Sequence, residues 1–193
     1  MPRRGEGVKI VGLFSSIFGN GASSSPRFAT ADNATTDIQP AVPAAVDVLC
    51  PVPGTAMDIA CVADQVFSSM AMGDGIGIKP SAGELVAPFA GTVEALFPTG
   101  HALAVKHESG VGIMLHIGID TVSMQGDGFT AHVAQGDHVE AGQLLVTFDR
   151  DKIAAAGYDD TTMVIAAEVP AGRKLSACEP GAVALGERVL WFS

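Results

Sequence analysis

The sequence predicts an all-β fold, an antiparallel sandwich or barrel with one or two short helices. Three observations carry that prediction. The 193 residues are 48% hydrophobic but only 6% aromatic and 17% charged. The 23 glycines and 11 prolines are enough for many tight turns. Many short strands cut by regular turn signals pack as a sandwich or barrel, not as a helix bundle.

The elements follow in order. Residues 1–46 are rich in Ser, Ala, Thr, Asn and Pro, and Asp32 to Ala45 keeps no period; they read as a flexible arm. Within the arm, Val8–Phe18 has an apolar side of Ile10, Leu13, Phe14, Ile17 and Phe18, suited to touching a membrane surface. From residue 47 to 193 the chain reads as one domain. Strands are expected at 46–50, 75–80, 84–87, 91–96, 102–106, 112–117, 138–139, 143–148, 163–169 and 188–192. A helix is expected over Asp151–Ala156, with Asp149 as its cap and Gly157 as its stop.

Composition excludes some functions. A net charge of −10 argues against nucleic acid, which is bound through clustered Lys and Arg. No stretch approaches the roughly 18 apolar residues of a membrane-spanning helix. The basic start, MPRRGEGVKIVGLF, lacks the long apolar region of a signal peptide. Cys50, Cys61 and Cys178 are odd in number and form no CxxC pair, so they read as reduced, mostly buried residues of a cytoplasmic protein.

The chemistry centres on His101 and His116. His101 opens the run HALAVK, and His116 nears the end of VGIMLHIG. With His107-Glu108-Ser109-Gly110 as a four-residue hairpin loop, residues whose numbers sum to 217 face each other. His101 and His116 are then directly opposed, with Cβ atoms about 5 Å apart. Two neighbouring imidazoles can be a nucleophile and its helper, a proton relay or metal ligands. His107, His132 and His138 read as solvated surface residues. Gly118 either clears space for an incoming group or marks an ordinary bend. Thr121 is placed for a local backbone hydrogen bond.

The run GVGIMLHIGIDTV, residues 110–122, resembles the phosphorylation site of the glucose-type enzyme IIA components of the bacterial sugar phosphotransferase system. Similar segments follow the family's order: PVPGTAMDIACVADQVFSSMAMGDGIGIKPSAGELVAPFAGTV, TGHALAV, GDGF and QGDHVEAGQLLVTFD. The resemblance implies the duplicated hybrid motif and a phosphocarrier. His116 is implied to carry the phosphoryl group on Nε2, His101 to hydrogen-bond that group, and Thr99 to orient His101. Val66, Phe67, Phe97 and Met114 match the family's apolar partner-binding ring, and Asp64 and Asp120 match acidic residues near it. Gln65 and Ser123 depart from the pattern, at positions where an aliphatic and an acid are common.

The implied partners are the phosphocarrier protein HPr as donor, a IIB domain as acceptor, and permeases or kinases as regulated targets. No cofactor is required. In some members a zinc ion is shared between the two histidines and a partner's carboxylate, which would make His101 and His116 the ligands here. Two other readings stand beside the carrier. One is a regulatory binder switched by phosphorylation. The other is a zinc metallopeptidase of related fold, which would need an H-x-H pair where this chain has Met114 and Gly118, and a third ligand that is not apparent.

Overall fold

The computed structural model describes residues 45–193. The arm expected over 1–46, with its apolar segment Val8–Phe18, lies outside the described residues except at its end. There Val46 already pairs with Phe192.

Fourteen strands are described: β1 (Val46–Leu49), β2 (Gly54–Asp58), β3 (Asp74–Pro80), β4 (Glu84–Val86), β5 (Gly91–Leu96), β6 (Ala102–Lys106), β7 (Gly112–Ile117), β8 (Phe129–Ala131), β9 (His138–Val139), β10 (Leu144–Phe148), β11 (Thr162–Glu168), β12 (Leu175–Ala177), β13 (Gly181–Val183) and β14 (Arg188–Phe192). Two short helices join them, α1 (Gln65–Ser68) and α2 (Arg150–Ala155), with 3-10 turns at Ile59–Cys61 and Thr121–Met124. All described strand pairs are antiparallel. The expected all-β fold is the one observed.

An eight-stranded sheet runs β13-β2-β3-β11-β7-β6-β5-β9, and two three-stranded sheets run β1-β14-β12 and β4-β10-β8. One apolar core draws on all three sheets, with Val48 and Phe192 from the first small sheet, Leu85 and Phe148 from the second, and Leu103, Ile113, Leu115 and Ile117 from the large one. Helix α2 forms where expected. The Asp149 side chain accepts the Lys152 backbone N–H at 3.0 Å, which caps the helix and lets Ile153 reach the core. Strands β2, β8, β12 and β13 escaped the sequence reading. Three of these have only three residues, too few to display a period, and β2 carries a half-polar GTAMD pattern.

The β6–β7 register differs from the expected one. Lys106 pairs with Gly112 and Ala102 with His116, so facing residues sum to 218, and the loop has five residues, closed by His107 N–H donating to the Val111 carbonyl at 2.8 Å. Both strands are buried on both faces, and their continuous apolar runs carry no period-2 signal to choose between the two registers.

The large sheet therefore has two apolar faces. Its back face carries Val93, Leu103, Val105, Ile113, Leu115, Ile117 and Val164 into the main core. Its front face is a thinner layer. Opposed residues share a face, so Ala102, His116, Met163 and Gly77 form one row across β6, β7, β11 and β3. Ala104, Met114 and Ile165 form the next. Ile59, Val62 and Phe67, from the 3-10 turn and α1, are buried apart from the main core. Gly77 is the residue that lets them close down, because a Cβ there would meet the Val62 side chain at 2.7 Å.

Candidate functional site

The site forms at the end of β7 on the front face. His116 extends from the strand between the buried Leu115 and Ile117. His101 is not opposite it; it sits on the bend ahead of β6, after Gly100 with φ +70°, and its carbonyl accepts the Ile117 N–H at 2.7 Å. Strict alternation does not bind a residue on a bend. Its ring folds over the strand end to meet His116 edge to face, with centroids 4.9 Å apart. The two imidazoles are neighbours by a route the sequence register did not give.

Aromatic rings flank the pair. The Phe67 ring is 5.0 Å from that of His116, and the Phe97 ring 5.4 Å from that of His101. Thr99 Oγ1 and His101 Nδ1 share a hydrogen bond of 2.5 Å, which fixes the plane of the His101 ring. His101 is buried, and desolvation pushes its pKa down to about 4. His116 is pushed down to about 3, first by desolvation and then by the neighbouring His101, with the Gly118 backbone pulling the other way. Both rings are neutral at neutral pH, each with one nitrogen lone pair. The His116 Nδ1 atom is buried and has no hydrogen-bond partner among the described residues.

The backbone after His116 is tightly held. Gly118 has φ +76°, and a Cβ there would overlap the Thr121 side chain and meet the Asp159 carbonyl at 2.8 Å. Its glycine is required by this internal close approach, which corrects the reading that it clears space for an incoming group. Thr121 is fully buried and donates to the Ile117 carbonyl at 2.5 Å, the local bond expected of it. Asp120 is exposed in a left-handed conformation at φ +58° and makes no capping bond.

The other expected contact residues divide. Asp64 caps α1, its Oδ1 accepting the Val66 and Phe67 N–H groups at 2.7 and 3.2 Å. That cap presents Val66 outward, 47% exposed, and turns Phe67 inward against His116. Phe97 is half-buried. Met114 is 1% exposed, so it belongs to the floor beneath the site and cannot touch a partner, a correction of the expected apolar ring. Two exposed apolar residues on the flanking segments went unread, Met70 and Val122. Their signal was an apolar residue stranded in a turn, QVFSSM and IDTVSM.

Three further expectations meet the structure here. His107 is half-buried, edge-on to Phe89 at 5.3 Å and bonded to Ser109, and is not the solvated residue expected, whereas His132 and His138 are exposed. Cys50 is buried, with its thiol pushed up to about 11 mainly by desolvation, but Cys61 is exposed. Among the described residues, no group of three or more His, Cys, Asp or Glu could hold a metal ion, and no helix is long and apolar enough to cross a membrane.

Residues 46–171 match the family of the phosphoenolpyruvate-dependent sugar phosphotransferase system, EIIA 1. Among solved structures, the chain is similar to the glucose permease IIA from Mycoplasma capricolum, with 36% sequence identity and a TM-score of 0.72. The match covers 76% of this chain and 95% of that one.

Proposed function

Because this chain belongs to the EIIA 1 family of the phosphoenolpyruvate-dependent sugar phosphotransferase system, we propose that His116 accepts a phosphoryl group from HPr and passes it to a sugar-specific IIB domain. The observation that carries the proposal is the pair of neutral, edge-to-face imidazoles.

In the transfer, the His116 Nε2 lone pair attacks phosphorus in line with the donor histidine's N–P bond. One N–P bond forms as the other breaks, and the donor nitrogen keeps the electron pair. Burial supports this chemistry by keeping His116 unprotonated at neutral pH. A nucleophilic Nε2 requires the ring proton on Nδ1, the buried nitrogen. The neighbouring His101 then offers its Nε2–H to the phosphoryl oxygens, while the Thr99 hydroxyl donates to its Nδ1. Rigid neighbours on both sides serve a reaction that depends mainly on positioning.

The exposed Val66, Met70 and Val122 give partners an apolar seat, and the carboxylates of Asp64 and Asp120 stand on the same segments to meet basic residues. A phosphoryl group adds about −1.5 to −2 charges there. A regulatory role, with docking of permeases or kinases switched by phosphorylation, follows from the same layout. A zinc ion shared by His101 and His116 would need its further ligand from the partner, because the described residues supply no third one. The cytoplasm, where phosphoenolpyruvate is made, suits this role.

Incubation with phosphoenolpyruvate, enzyme I and HPr tests the proposal. Wild-type protein becomes labelled and His116→Ala does not; equal labelling of both would refute it. His101→Ala is labelled on His116 but hands the group to IIB slowly. Docking of a target that is equal for wild type and His116→Asp would count against the switch.

A further inference from the structure

Methionines gather on the front side of the large sheet. In the row through His116, that residue pairs with Met163, Met163 with Gly77 and Gly77 with Met57. Met114 lies in the next row. Met70 and Met72 follow α1, the helix that sets Phe67 against His116. The exposure of these thioethers is graded. Met114 and Met163 are 1% and 0% exposed, and Met57, Met72 and Met124 are half-buried. Met70 alone among the described methionines is open, at 44%. Its backbone is held in place. The Met70 N–H donates to the Phe67 carbonyl at 2.9 Å, and its carbonyl accepts the Gly73 N–H at 3.1 Å. The backbone is left-handed, at φ +58°. Helices often end on that conformation with Gly or Asn, because a Cβ makes it costly. Here α1 ends instead on an open thioether, four residues after the equally exposed Val66.

We propose that Met70 is a reversible oxidation site, where peroxide places a sulfoxide on the apolar seat and weakens partner docking. The effect on docking rests on the carrier reading of His116; the oxidation itself does not. A lone pair of the Met70 sulfur attacks one oxygen of hydrogen peroxide. The S–O bond forms as the O–O bond breaks, and the departing hydroxide takes the proton from the sulfur-bound hydroxyl. Sulfoxide and water result, with sulfur oxidised and peroxide reduced. A dithiol reductant reverses the step, leaving as a disulfide while the oxygen leaves as water. The sulfoxide turns a flexible apolar group into a polar one. Burial shields Met114 and Met163 from the same reagent, so the floor beneath the histidines is kept.

Dilute hydrogen peroxide on the 193-residue chain tests this, in a Cys61→Ser background that removes the exposed thiol as a competing target. Peptide mass mapping should find the first added oxygen on Met70. The KM for HPr in the labelling of His116 should then rise about fivefold to a hundredfold, the range for burying one polar group without a partner, with kcat little changed. Methionine sulfoxide reductases for both epimers, supplied with a dithiol, should restore the original KM. Met70→Leu, compared with itself before and after peroxide, should show no such rise. Another methionine taking the first oxygen overturns the proposal, as does an unchanged KM in protein whose Met70 is the sulfoxide. A rise that Met70→Leu shares also overturns it. If wild-type protein takes no label before peroxide, the carrier reading fails, and the order of oxidation, read by mass alone, decides whether the Met70 site stands.

Discussion

The two faces of the eight-stranded sheet are built from the same strands to different ends. Between β5 and β11 the back face is branched and bulky: Val93, Leu103, Val105, Ile113, Leu115, Ile117 and Val164. The front face is small and pliable at the same strands, with Ala95, Ala102, Ala104, Met114 and Met163. The back face holds the sheets together. The front face leaves room above β7 for two imidazoles and two phenyl rings, and its floor fixes them. One strand thus separates stability from chemistry by a single residue step, Leu115 inward and His116 outward.

Truncating the back face should break that division most severely. Leu115 is fully buried, and Leu115→Ala should cost about 2–5 kcal/mol. Urea unfolding measures the loss, while the fraction that remains folded should still take label on His116. His116→Ala should do the reverse, abolishing labelling with an unfolding midpoint close to that of the wild type. Should Leu115→Ala leave stability unchanged, or His116→Ala unfold the chain, the two faces do not divide the work in this way.

Thr99→Val sharpens the comparison on the front face alone. The swap keeps the shape and removes the hydroxyl, which leaves His101 Nδ1 buried without its partner. An unsatisfied buried polar atom costs about 1–3 kcal/mol. The ring is then free to take either tautomer, so transfer from His116 to IIB should slow more than labelling by HPr does. Rapid-quench measurement of the two half-reactions separates them, and equal slowing of both would assign Thr99 to folding alone.

The same contrast explains what could be read from sequence. Strands with turn chemistry at both ends were legible, as was α2, because Asp149 and Gly157 punctuate it. The run around His116 singled out the proposed acceptor, since its residues are contiguous. What failed was whatever depends on which face a residue takes. Both registers of β6 on β7 bury apolar side chains, so the slip from 217 to 218 is invisible in ALAVK and GIMLHI. Met114 shares the face of His116 as the resemblance implies, but it is buried, and the layer that covers it comes from residues distant in the chain.

Acid provides the gentlest separation of the two faces. Unfolded histidine titrates at about 6.5, whereas burial holds His101 at about 4 and His116 at about 3. Between those values the unfolded chain binds more protons than the folded one, so stability is fully present above pH 6.5 and falls as the pH falls. Each ring contributes a slope of at most about 1.4 kcal/mol per pH unit. The back-face side chains of β5–β7 are aliphatic and contribute no slope. Urea midpoints taken from pH 7 to pH 4.5 should therefore drop for the wild type and drop less for His116→Ala, which leaves only His101 of the pair to titrate. Parallel profiles for the two proteins would mean that His116 titrates as an open, solvated ring, and the front face would then be a surface rather than a second buried layer.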